Sequence, residues 1–271
     1  MNASNLDLQS LWTEFAVSEA GSFVNVELME AYLTGLAGLP LLLVAVSVAT
    51  EAVILLHGLC RTRRSMARMA KALEAAGYTA HNVSYPSRTA RVEDLADTVI
   101  SGALTHPDIA KASKVHFVTH SLGGILVRQY LQSNTIPNLG RVVMLGPPNQ
   151  GSEVVDRIGD FSWFKAMHGP TGNQLSTAPD STPNQLGPVS FELGIIAGDR
   201  SINWINSFVM IDGPDDGKVS VQRTRAVGAT DHVVVHVSHP FLMRNKRVIR
   251  ETLHFLRAGR FSDEATRVSP S

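Results

Sequence analysis

From residue 52 onward, short wholly apolar runs alternate with segments whose apolar residues recur every three or four positions, and few folds can accommodate that order. Residues 52–56 (AVILL) are apolar without alternation and end at His57-Gly58, as a strand buried on both faces would. Met66, Met69, Ala70, Leu73 and Ala76 then follow at helical spacing, with Gly77 where a left-handed cap belongs. Residues 78–85 read as the next strand, closed by Pro86. Val92, Leu95, Val99, Ile100 and Ala103 mark a second amphipathic helix. Strands at 115–119 (VHFVT) and 142–145 flank a glycine-containing helix at 122–132. After a stretch of weaker pattern come strands at 191–197 and 233–237 and a closing helix at 245–257. Strand-helix alternation of this kind predicts a mostly parallel sheet with helices on both faces. Such sheets bind ligands at the carboxyl ends of their strands, where His57, Ser121, Asn149 and Asp199 fall in this reading.

The rest of the chain frames that core. Residues 51–260 read as one domain, with an inserted cap or loop at about 151–190 after the strand ending near Leu145. There Phe161, Trp163 and Phe164 mix with Gly, Pro, Asn, Ser and Thr, and residues 261–271 read as a disordered tail. Residues 1–60 carry six acids and no Lys or Arg, so the basic start of a cleavable secretory signal is missing. Residues 31–50 hold twenty residues without a charge, enough to cross a bilayer as a helix. They would either contact a membrane in that way or lie as an apolar helix on the domain or in an oligomer, which Pro40 favours. If they span, Arg61, Arg63 and Arg64 would hold the following domain on the cytoplasmic side. Lys plus Arg and Asp plus Glu each number 24, so no net field recruits nucleic acid. The one cysteine, Cys60, excludes an intrachain disulfide, suits either side of a membrane, and reads as a small packing residue. The compartment is left open.

A serine hydroxyl attacks poorly at neutral pH unless a base contacts it and the backbone exposes its oxygen. Thr119-His120-Ser121-Leu122-Gly123-Gly124, between a strand and a helix, matches the nucleophile elbow G-x-S-x-G except at Thr119, where a β-branched residue replaces glycine. The plainer alternative is Ser121 as a helix cap. Together with Leu55-Leu56-His57-Gly58-Leu59, Asp216-Gly217-Lys218-Val219 and Ser238-His239, this elbow resembles the α/β-hydrolase lipases and esterases over about residues 52–258. The resemblance implies the α/β-hydrolase fold and the order serine, acid, histidine along the chain.

Ser121 is then the expected nucleophile. His239, after the last core strand and before the last helix, is the expected base. Two aspartates compete for the acid: Asp199 at a predicted strand end, and Asp216, which is favoured because family acids often stand three residues before a Val or Pro, as Asp216 does before Val219. By resemblance the amides of Leu59 and Leu122 form the oxyanion hole, with His57 shaping its loop and His120 packing beside the nucleophile. His232, His236 and His239 stand on strand and loop without a completing ligand pattern, so neither a metal nor another cofactor is expected. The implied activity is cleavage of carboxylic esters, with a lean toward lipidic substrates, through an acyl-enzyme on Ser121. The rivals are an acyltransferase with the same triad and a binding protein that keeps the fold without the chemistry.

Overall fold

A computed structural model of the protein describes residues 50–159, 161–201 and 213–268. The apolar segment 31–50 lies outside them save for Thr50, and among the described residues no helix is long and apolar enough to cross a membrane.

Seven strands form one sheet in the order β2-β1-β3-β4-β5-β6-β7, namely β1 (Glu51–Leu56), β2 (Thr79–Asn82), β3 (Lys114–His120), β4 (Leu139–Leu145), β5 (Leu193–Gly198), β6 (Asp231–Val235) and β7 (Thr266–Arg267). The first six pair in parallel and β7 is antiparallel to β6. The chain moves from β1 outward to β2 and then returns to the other side of β1 as β3. Strand order therefore reverses between β1 and β3, the place where open parallel sheets form a crevice. Leu56 is in register with Thr119 there, which brings His57-Gly58 beside Ser121.

Both faces of the sheet are buried, as the unalternating strands require. One face sets Ala52, Ile54, Phe117 and Met144 against helix α2 (Val92–Leu104) and helix α4 (Leu122–Ser133), with the one-turn α3 (Pro107–Ala110) at its edge. On the other face Val53, Leu55, Val118 and Val143 pack against α1 (Ala67–Ala75) and the last helix, α8 (Lys246–Ala258). Phe117 and Phe255 are wholly buried, one on each face, and truncating either to Ala would cost about 3–5 kcal/mol. Helix α8 is delimited by local chemistry. The Asn245 side chain accepts from the amides of Arg247 and Val248 at its start, and Gly259 (φ 71°) ends it in the left-handed region.

Between β4 and β5, where a cap or loop was expected, lie α5 (Glu153–Ile158), α6 (Ser162–Asn173, interrupted at Gly169) and α7 (Thr182–Gln185). The expected disordered tail is different as far as Val268. Phe261 is wholly buried against Phe255, Ala265 is buried, and Thr266–Arg267 extends the sheet, so apolar burial outweighs the polar composition of this stretch.

Candidate active site

The β3-α4 junction turns on a single residue. Ser121 has φ 52° and ψ −119°, a left-handed backbone that costs a non-glycine residue about 1–3 kcal/mol and persists only where its surroundings impose it. Its N–H donates to the Leu145 carbonyl at 2.9 Å and its own carbonyl accepts from Gly124. The hydroxyl makes no capping bond to α4, which removes the helix-cap alternative. Gly123 makes the tight turn feasible: a Cβ there would stand 2.8 Å from the Leu56 carbonyl oxygen. Thr119, the departure from the elbow pattern, sits in β3, wholly buried, its hydroxyl without a partner among the described residues.

His239 follows β6 and opens a 3-10 turn (His239–Arg244). Its Nδ1 lies 2.6 Å from Oδ2 of Asp216, with both side chains nearly inaccessible. The second Asp216 oxygen, Oδ1, accepts from the amides of Lys218 and Val219 at 3.0 Å each, and the Asp216 carbonyl accepts from the His239 N–H. Gly146 (φ 55°) lies beneath the pair, where a Cβ would come within 3.0 Å of Oδ2 and 3.1 Å of Nδ1. Asp199 is elsewhere: its Oδ1 meets His236 Nδ1 at 2.9 Å on an exposed edge. Of the two aspartates, the fold brings Asp216 to His239.

His120 fixes the histidine from the other side. Its Nε2 is 3.1 Å from the His239 carbonyl, so that nitrogen carries the proton, and the two rings lie 4.6 Å apart. Burial holds its pKa well below the ordinary histidine value, which keeps the ring neutral. With its N–H, carbonyl and Nδ1 all committed, His239 has Nε2 left without a bonded partner among the described residues. His57 is likewise an in-house group. Its Nδ1 donates to the Gly58 carbonyl, its ring stacks on Tyr85 at 4.1 Å, the Tyr85 hydroxyl bonds its carbonyl, and burial depresses its pKa. These bonds pin the loop carrying Leu59. Among the described residues neither the Leu59 nor the Leu122 amide is bonded to another group, and Leu122 opens α4, where helix amides point outward unpaired.

Ser121, His120 and His239 open onto one cavity of about 280 Å³. Its apolar wall comes from Leu59, Pro148 and Val219 and, from the segment after β4, Val154, Val155 and Leu175. The segment after β4 thus borders the cavity, through aliphatic side chains among its described residues. Phe161 is 55% exposed, and the side chains of Trp163 and Phe164 lie outside the described part.

One other expectation is corrected. Cys60 is exposed at the cavity rim rather than packed, with its thiol 3.6 Å from the Met167 carbonyl and its backbone at φ 56°. Asn149, placed with the site by its strand end, is buried and engaged by Arg128 and the Thr224 carbonyl. His232 bonds the Thr224 hydroxyl at 3.0 Å, so His232, His236 and His239 have three separate partners. Tyr85 and Gly146 escaped the sequence reading. Their signals, a tyrosine before Pro86 and a glycine directly after a buried strand, are too common to single them out.

The structure is similar to a lipase of Bacillus licheniformis in its mature form (TM-score 0.63, 20% identity, covering 78% of this chain and 92% of that one). It is also similar to a metagenomic carboxyl esterase (TM-score 0.57, 16% identity, 82% of this chain and 78% of that one). At these identities the likeness is one of fold. No curated protein matches by sequence search. Residues 53–251, most of the chain, match the sequence profile of the alpha/beta hydrolase family, and the chain belongs to that family.

Proposed function

We propose that the protein hydrolyses carboxylic esters through an acyl-enzyme on Ser121. The observation that carries this reading is the shared cavity: a strained serine at a strand-helix turn opens onto the same space as a histidine whose far nitrogen is held by a buried aspartate. The lipase and esterase neighbours support the same class of chemistry.

His239, kept in the Nδ1–H tautomer by Asp216, offers Nε2 as the base. It takes the Ser121 proton as Oγ attacks the ester carbonyl, and the carbonyl oxygen gains the negative charge. The amides of Leu59 and Leu122 receive that oxyanion, each contributing on the order of 3 kcal/mol to the barrier reduction. Collapse of the tetrahedral intermediate breaks the bond to the alcohol, which leaves with the proton from Nε2. A water molecule then repeats the sequence on the acyl-serine: His239 removes its proton, the acid is released, and Ser121 recovers its hydrogen. Asp216 stays ionised throughout and stabilises the imidazolium.

Hydrolysis of p-nitrophenyl esters of graded acyl length by wild type and Ser121→Ala tests the reading. Turnover in wild type that falls at least a thousandfold in the variant supports it. Equal rates in both, with the fold intact, refute it.

A further inference from the structure

The cavity beside Ser121 has a sign. Arg61 and Lys218 line it, whereas among the described residues no Asp or Glu does, in a protein whose charges otherwise balance at 24 and 24. Among the described residues neither cation has an ion-pair partner, although other charged side chains near this site are engaged. Glu153 holds Arg223, and Arg88 donates to the Met167 carbonyl. Asp216, the nearest acid in sequence, is 1% exposed and turned toward His239.

The two cations arise from the loops that build the site. Arg61 is two residues beyond Leu59, and its N–H bonds the Gly58 carbonyl. Lys218 is two residues beyond Asp216, and its N–H bonds Asp216 Oδ1. Their backbones are therefore fixed relative to Ser121 while their heads are free to meet a ligand. The exposed Cys60 thiol lies in the field of both, and of Arg88. A small apolar cavity with two uncompensated cations at its mouth suits a molecule with an apolar acyl part and a negative charge.

Resting on the hydrolase reading above, we propose that the preferred substrates are esters bearing an anionic group, a phosphate or a carboxylate, which Arg61 and Lys218 receive. Among the described residues no acid lines the cavity to repel such a group, and each cation can donate charge-assisted hydrogen bonds to it.

The test compares kcat/KM within two matched pairs. One is mono-p-nitrophenyl adipate against p-nitrophenyl hexanoate, which places a carboxylate on the acyl side. The other is 1-hexanoylglycerol 3-phosphate against 1-hexanoylglycerol, which places a phosphate on the alcohol side. Wild type should favour the anionic member of at least one pair, and which pair shows the preference identifies the source of the charge. That ratio should fall up to about fivefold in Arg61→Gln and in Lys218→Gln, as expected for partly exposed charge pairs, and further in the double variant. It should drop below the Lys218→Gln value in Lys218→Glu and shrink in 0.5 M NaCl. A wild-type ratio at or below one in both pairs, or a ratio unchanged in the folded double variant, overturns the proposal. If wild type cleaves neither member of either pair and Ser121 fails to react with a fluorophosphonate, the hydrolase reading itself has failed and the substrate assignment with it. Labelling of Ser121 without an anionic preference strikes only the substrate assignment.

Discussion

Replacing Asp216 by Asn should nearly abolish turnover without unfolding the protein, for reasons visible in the hydrogen bonds. Oδ1 of Asp216 accepts from two backbone amides, and Oδ2 lies 2.6 Å from His239 Nδ1. In Asp216→Asn the amides of Lys218 and Val219 would retain the carboxamide oxygen, since they can only donate. The NH2 group would then face Nδ1, which must accept, so the imidazole proton moves to Nε2, the nitrogen that has to take the serine proton. The tautomer is wrong and the charge opposite the imidazolium is gone. Such a loss lowers kcat about 10³- to 10⁴-fold, or about 4–5.5 kcal/mol at 1.36 kcal/mol per decade. Asp199→Asn severs only an exposed contact to His236 and should change kcat less than about threefold. Initial rates of p-nitrophenyl ester hydrolysis, with urea melts to verify folding, compare the two. Asp216→Asn within tenfold of wild type, or an equal loss in Asp199→Asn, would refute the reasoning.

Two further outcomes concern stability. Thr119→Val removes a buried hydroxyl that has no partner among the described residues, and the unfolding free energy should rise by about 1 kcal/mol in urea titration. A loss of stability would mean that the hydroxyl is satisfied in solution. His232 has its pKa lowered to about 4 by burial, against 6.5 when unfolded. Below pH 6.5 the unfolded chain binds a proton that the native state refuses, so stability falls with pH until about 4, by roughly 3 kcal/mol from this group. His57, His116 and His120 shift in the same direction. Urea midpoints between pH 7 and 4.5 should fall in wild type and fall less steeply in His232→Gln, and identical slopes would contradict the assignment.

The alternation of apolar runs and helical spacing carried the sheet because each pattern has one burial that satisfies it. Residues 52–56 bury both faces, and β1 runs from Glu51 to Leu56. Element ends were less legible where side chains leave the ladder for other partners. The strand expected at 78–85 pairs only over Thr79–Asn82, because Tyr85 turns away to bond and stack on His57. Ser121 could be read from its string and its neighbours in sequence. Local pattern favoured Asp216 over Asp199 through its spacing to Val219, but the contact itself was hidden, since it depends on a Gly-Pro loop folding back so that the Lys218 and Val219 amides orient a carboxylate 23 positions before its histidine. The charge at the cavity mouth was equally hidden. Arg61 and Lys218 are 157 residues apart and meet only through the sheet order.

The account depends most directly on Ser121 being an activated nucleophile. Incubation with a fluorophosphonate, followed by intact-mass and peptide mass spectrometry, measures that without assuming any substrate. A single adduct on the peptide containing Ser121 is predicted, absent from folded Ser121→Ala and formed much more slowly in Asp216→Asn. No adduct, or one that persists on another residue in Ser121→Ala, would contradict it.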